Sequence, residues 1–390
     1  MQWSKTGSGG NRNVKRSKSK KLMGVETMRR RLQIGFILLV GLMMVAAGCG
    51  SEANEPAAAT SPALSETGGE ARAASSEAPE VTELTLYGVV DAQVSSQQII
   101  ADKLRYFAEE GLTITNQLIP NGPEIGPMIS GGSAPVSFET NITDMFLAAA
   151  DVDVSIVAPM AQIAGTQGMV LHKDTVINSA KDLEGLTIGM PTGAGALVAV
   201  QNMAKELGVD VTKINFINLA PNEQLSAMEH GDIDAMVGWE PYLTKSIDLG
   251  GKLLFSGRVS HLPEKEGPVE WMSFHSTMQV TDDFLAENPN TVKAIIRALK
   301  KATDYINDNR EEAIKILAPE LHLEEDELRQ IMDRNVYDMT VDESFINGTN
   351  EIANFMLELG NIQEVPDLNG YIDFSLLKEV YPDLVKVETE

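Results

Sequence analysis

The chain has 390 residues, with 31 Lys and Arg against 56 Asp and Glu and a single cysteine. Residues 1–48 hold ten of the basic groups and one acid, Glu26, so residues 49–390 carry a net charge of −34. That charge repels phosphate backbones and anionic lipid and excludes nucleic acid as a partner. One cysteine excludes a disulfide framework and a Cys-rich zinc site, and neither metal nor cofactor is expected. An apolar content of 43% is enough for a real core, and the length suits about two domains.

The first element is an export signal. Arg29, Arg30 and Arg31 precede the uncharged run IGFILLVGLMMV (34–45), and Ala46, Ala47, Gly48 and Cys49 follow. A basic region, a short apolar run and small residues before a cut are the parts of a signal peptide. The run is shorter than the roughly 20 apolar residues a membrane span needs. The arrangement resembles the lipobox of bacterial lipoproteins, with Ala46 where Leu or Val is usual. It implies that Cys49 is lipidated and holds the protein on the outer face of the cell membrane. Residues 1–27 read as an upstream extension, and Met28 is the more ordinary start.

Residues 49–83 follow as a tether. Over 50–80 Leu64 is the only large apolar residue, so this stretch is expected to stay disordered. From residue 84 strand-like and helix-like segments alternate. LTLYGV (84–89), LTITNQL (112–118), PVSFE (135–139), DVSIVAP (153–159), QGMVLH (167–172), LTIGM (186–190), INFIN (214–218) and DAMVG (234–238) read as strands. Helices are expected at 196–207 and 222–230, and one more places Ile100, Leu104 and Phe107 on a single face before Gly111. From Thr281 onward the pattern is helical, at 281–287, 290–308, 310–317, 323–333, 343–359 and 374–380. Strand–helix alternation predicts parallel sheets in an α/β protein.

FAEEGL (107–112), GTQGMVLHKDTVINSAKDLEGLTIGMPTGAGA (165–196), GDIDAMVGWEPYL (231–243) and VTDDFLAENPNTVKAIIRALKKA (280–302) occur in a recognisable order. Together they resemble the nitrate, sulfonate, taurine and thiamine-precursor group of ABC-importer solute-binding proteins. The resemblance spans residues 84–385. It implies a type 2 periplasmic-binding-protein fold, two α/β lobes joined by a two-strand hinge, with the ligand between them. Lobe 1 is expected at 84–168 plus 278–390 and lobe 2 at 169–277, with crossings near Gln167–Leu171 and Phe274–Val280. It also implies a small solute and an ABC permease as partners, and a monomer.

Four strand ends carry the candidate contacts. In MPTGAGA (190–196), Thr192, Gly193, Ala194 and Gly195 open a helix, whose unpaired N–H groups suit an anionic oxygen. In GWEPYL (238–243), Trp239 offers a flat apolar face, Tyr242 a hydroxyl, and Glu240 an acceptor for an ammonium or ring amine. Glu139, Thr140 and Asn141 follow another strand, where family members often have a small Gly-rich turn. Asp91, Gln93 and Ser95 occupy the first strand-to-helix loop. A core role for Trp239 and capping roles for Glu240 and Ser95 are the plainer alternatives.

Residues 84–102, 131–172, 182–204 and 214–244 contain no Lys or Arg, although Arg258 and Lys265 lie close enough in sequence to reach in. A polyanion would therefore be hard to neutralise. Sulfonate, taurine or nitrate is the leading ligand type and a thiamine pyrimidine precursor the alternative. None of the five histidines forms an H-E-x-x-H site, and no G-x-S-x-G turn occurs. An enzyme on the same fold and a ligand sensor for a membrane kinase are the rival classes.

Overall fold

The alternation of strands and helices resolves into two separate sheets. The computed structural model describes residues 78–120, 122–191 and 194–387. The leader, Cys49, residues 49–77, Thr192 and Gly193 lie outside the described residues. The chain forms β1 (Glu83–Val89), β2 (Thr113–Ile119), β3 (Val136–Thr140) and β4 (Val154–Gln162). It continues through β5 (Gln167–Leu171), β6 (Thr187–Met190), β7 (Asn215–Asn218), β8 (Ala235–Trp239), β9 (Lys252–Ser256), β10 (Val259–Leu262) and β11 (Lys265–Pro268). It then returns as β12 (His275–Thr281) and β13 (Val336–Tyr337).

The first sheet has the order β13-β4-β12-β3-β1-β2 and the second β11-β10-β9-β5-β8-β6-β7. In the first, β1 runs parallel to β2 and β3, and β12 lies antiparallel between β3 and β4. In the second, β6 runs parallel to β7 and β8, while β5 lies antiparallel between β8 and β9. Each sheet with its helices forms one lobe. This is the type 2 periplasmic-binding-protein fold.

The change of sheet falls earlier than expected at both crossings. β4 ends with Gln162 opposite His275, and β5 begins with Gln167 opposite Trp239. No residue of β5 pairs into the first sheet and none of β12 into the second. The crossings are therefore the turn at 163–166 and the segment 269–274, not the strands themselves.

The helix Pro289–Asp308 packs against the helices Ser96–Lys103 and Ser375–Val380. Val292, Ile295, Ile296, Leu299 and Ile306 recur at helical spacing and are all fully buried. Burying each such side chain contributes roughly 1.5–3 kcal/mol. The N-terminus of this helix also corrects the tether boundary. Glu80 accepts hydrogen bonds from the Asn290 and Thr291 N–H groups at 3.1 and 2.8 Å. Val81 N–H donates to Thr291 Oγ1. The free N–H groups of a first helical turn bind a carboxylate well, so 80–83 join the folded part.

The three-stranded extension β9–β11 was absent from the sequence expectation. The short strand β13 was also missed; it closes the first sheet beside β4. Among the described residues no helix is long and apolar enough to cross a membrane.

Candidate functional site

In open α/β sheets, ligands bind beyond the carboxyl ends of the parallel strands. Here those ends come from both lobes. β1 and β3 lie side by side with Tyr87 opposite Ser137, which brings Val89 level with Glu139. Asp91 stands two residues beyond Val89 in a half-buried turn. It accepts from the Gln93 N–H at 2.6 Å and from Gln93 Nε2 at 2.9 Å.

Gln93 connects the lobes. Its Nε2 also donates to the Glu240 carbonyl at 3.2 Å, and its Oε1 accepts from Gln167 Nε2 at 2.9 Å and from the Thr166 hydroxyl. Gln93 is 3% exposed, so its amide serves this bridge. Ser95 is fully buried and accepts from the Val89 N–H at 3.0 Å. It organises the loop.

At the end of β3, Glu139 is 7% exposed. Its Oε2 accepts from the Thr140 N–H at 2.6 Å and from Thr143 Oγ1 at 3.1 Å. A Cβ at Gly122 would stand 1.7 Å from Glu139 Oε1 and 3.6 Å from Val89 Cγ2. Only glycine lets that carboxylate lie there, turned toward the end of β1. Thr140 is half-buried and precedes the helix Asn141–Ala148. Asn141 is fully buried, with Nδ2 donating to Thr349 Oγ1 at 3.0 Å and Oδ1 accepting from the His275 N–H at 3.5 Å. Its amide ties the helix to β12.

In lobe 2, Ala194 and Gly195 open the helix Leu197–Leu207. The N–H groups of Ala194, Leu197 and Val198 already bond to carbonyls within the turn. Fewer donors remain for an anion than an open helix start would offer. A Cβ on Gly195 would stand 2.7 Å from Ile142 Cδ1 and 3.5 Å from Phe274 Cζ. This glycine brings the lobe 2 helix against lobe 1.

Trp239 ends β8 half-buried, edge-on to half-buried Tyr242 with centroids 6.5 Å apart. Glu240 is 1% exposed. Its Oε2 accepts from the Thr244 N–H at 2.9 Å and its Oε1 pairs with Arg334 of lobe 1. Both oxygens are thus engaged by the protein. Arg334 was missed because it lies in a turn 94 residues away with no motif around it. The other two basic candidates stay outside: Lys265 pairs with Glu206 at 2.8 Å, and Arg258 is exposed.

Burial pushes the Asp91 carboxyl up to about 7, with the Gln93 hydrogen bonds opposing the shift and the Glu139 and Glu240 charges adding to it. Burial also raises the Glu139 carboxyl against the bonds from Thr140 and Thr143. For Glu240, burial outweighs the Arg334 charge, and the carboxyl is raised as well. Among the described residues no group of three His, Cys, Asp or Glu is arranged to hold a metal ion. A groove of about 1260 Å³ lies elsewhere on lobe 1, lined by Asp282, Ile346, Phe374 and Lys386 among others. None of the candidate residues lines it.

Known proteins resemble this chain in sequence and in fold. A candidate aliphatic sulfonates-binding protein of Bacillus subtilis is 21% identical over 351 residues, covering 88% of this chain and 96% of that protein. The 4-amino-5-hydroxymethyl-2-methylpyrimidine phosphate synthase of Aspergillus parasiticus is 27% identical over 219 residues, or 53% of this chain and 61% of its own. The periplasmic aliphatic sulphonate binding protein SsuA of Escherichia coli superposes with a TM-score of 0.64 at 16% identity, covering 75% of this chain and 92% of that one. The model of the NMT1/THI5-like family matches residues 94–313, more than half of the sequence. The chain belongs to the NMT1/THI5-like family.

Proposed function

We propose that the protein is the extracytoplasmic solute-binding component of an ABC importer and captures a small organic solute between its lobes. One observation carries this reading. Strand ends from both sheets meet at the Gln93–Gln167–Glu240 bridge, with Asp91 and the half-buried Trp239 beside it. Such a junction can order on a ligand and report its presence as a change in lobe geometry. The relatives named for sulfonate binding support the reading. Sulfonates, taurine, nitrate and the pyrimidine precursor therefore form the first ligand panel.

Asp91, Glu139, Thr140, Gly195, Trp239 and Tyr242 are the proposed lining. Thermal melting tests the function. A solute that binds only the folded state stabilises it by RT ln(1 + [L]/Kd), about 2.7 kcal/mol at a hundredfold excess over Kd. No shift with any panel member or with a metabolite extract would overturn it. Turnover of a panel member would instead mark an enzyme, as the synthase name of one relative suggests.

Trp239→Ala should weaken binding of the stabilising solute by about 1–3 kcal/mol, the scale of burying a large side chain. Isothermal titration of wild type and variant checks this, and equal affinities would remove the indole from the site. Attachment to the membrane is proposed through a lipid on Cys49. Two acyl chains supply affinity at roughly 0.8 kcal/mol per buried CH₂. Cys49→Ala should move the protein from the membrane fraction to the soluble fraction, read by immunoblot after fractionation. A variant chain that stays membrane-bound with its leader cleaved would count against lipidation.

A further inference from the structure

The lobes also meet away from the Gln93 bridge. The helix Tyr242–Asp248 packs within lobe 2 against β5, β8, β9 and the helix Pro221–His230. It also meets the helix Glu325–Met332 of lobe 1, which buried Leu328, Ile331 and Met332 hold in place. Two charge pairs of opposite sense cross this contact. Lobe 2 supplies Glu240 and Lys245, and lobe 1 supplies Arg334 and Glu327. Because the acid changes sides between the pairs, the pattern matches in one register of the two helices and repels in others.

The two pairs are in different states. Arg334 engages Glu240 directly. The Glu240 N–H donates to the Thr166 carbonyl at 3.1 Å, and the Arg334 carbonyl packs on Gly165. This pair therefore sits on the first crossing, where rotation of the lobes displaces it least. Lys245 lies five residues further on, out along the helix. Its Nζ is 3.8 Å from Glu327 Oε1, too far for a hydrogen bond. That oxygen is buried and has no hydrogen-bond partner among the described residues. A buried carboxylate oxygen without a donor is costly, and Lys245 would supply one by moving about 1 Å nearer. The Glu327 charge also raises the Glu240 carboxyl, so a cation engaged at Glu327 offsets that repulsion as well.

We propose, on the reading that the cleft is the solute site, that Lys245 and Glu327 form a clasp that draws together as the lobes close and sets the balance between an open and a shut cleft. Glu240 and Arg334 act as the fixed pivot beside it. A solute that shuts the lobes gains the completed Lys245–Glu327 bond in addition to its own contacts.

Distance measurement by double electron–electron resonance tests this on the full chain carrying Cys49→Ala. Spin labels are placed at Asn222→Cys on lobe 2 and Lys315→Cys on lobe 1, both exposed positions. The labelled parent is compared with Lys245→Glu and with the charge swap Lys245→Glu, Glu327→Lys. Lys245→Glu sets a carboxylate against the buried Glu327 oxygen, and should raise the ratio of long to short distances at least threefold. The swap restores an opposite-charge pair and should return that ratio to within twofold of the parent. An unmoved distribution in Lys245→Glu overturns the clasp. So does a displacement that the swap leaves in place, because it marks lost packing instead of lost charge pairing. Either result leaves the solute-binding reading standing, since that reading rests on the melting shifts. An absence of melting shifts overturns the solute-binding reading without altering these distances.

Discussion

Asp91→Asn should make the protein more stable and a poorer binder at the same time. Burial and the neighbouring carboxylates raise the Asp91 carboxyl from the ordinary 3.8 to about 7. A carboxyl raised in the folded state contributes its full stability only below its unfolded value. That contribution is lost as pH rises through the folded one. At pH 8 the wild type therefore carries a charge that folding disfavours. A tenfold change in proton affinity is worth about 1.4 kcal/mol, and the roughly thousandfold change at Asp91 sets a ceiling of about 4 kcal/mol. Asn keeps the oxygen that accepts from the Gln93 N–H but weakens the pairing with Gln93 Nε2, at a cost of about 1 kcal/mol. The expected net gain is about 2–3 kcal/mol at pH 8, shrinking to nothing or a small loss near pH 4. Urea unfolding at the two pH values checks it. Equal effects at both would mean that Asp91 is not charged against a penalty in the native cleft. A stability gain paired with a binding loss is what a group kept for function produces.

The strand ends were legible because they follow from local pattern. LTLYGV, PVSFE, LTIGM and DAMVG are short apolar runs followed by helix starts, and each emerges as a parallel strand within a residue or two. Once strands are parallel, their carboxyl ends are fixed in space, and with them Glu139 and Trp239 at strand ends and the loops carrying Asp91 and Gly195. The direction of individual side chains was not legible. Ser95, Asn141 and Glu240 have the residue types of ligand contacts, but their polar atoms are consumed by Val89, by Thr349 and His275, and by Thr244 and Arg334. Those partners lie up to 208 residues away, and no local pattern reports them. The β9–β11 extension escaped for a different reason. KLLFS, VSHL and KEGP are only four or five residues each; VSHL turns Ser260 and Leu262 inward and Val259 and His261 outward, and KEGP is charged, largely exposed and ends in a proline, so no apolar alternation marks the hairpin.

Arg334 is where that long-range order has its largest expected energetic effect. Its carbonyl oxygen would stand 2.3 Å from a Cβ on Gly165, so the backbone of this turn packs directly on the first crossing. Its guanidinium reaches Glu240, which is 1% exposed, while the Arg334 side chain itself is 23% exposed. Arg334→Met keeps much of the aliphatic stem and removes the charge. It leaves a buried carboxylate whose remaining partner is the Thr244 N–H. Removing one partner of a buried pair costs about 3 kcal/mol, because the other charge is stranded. The cost should depend on pH with a definite sign. Burial already raises the Glu240 carboxyl against the pull of Arg334, and without that pull it rises further. Stability supplied by a raised carboxyl is present below its ordinary value and lost as pH climbs through the new one, so the variant should suffer far more at pH 8 than at pH 5. Adding Glu240→Gln removes the stranded charge, and the double variant should recover most of the loss at pH 8. Chemical denaturation of both variants at the two pH values decides the point. A pH-independent loss that Glu240→Gln leaves unchanged would mean that Arg334 holds the crossing by packing alone.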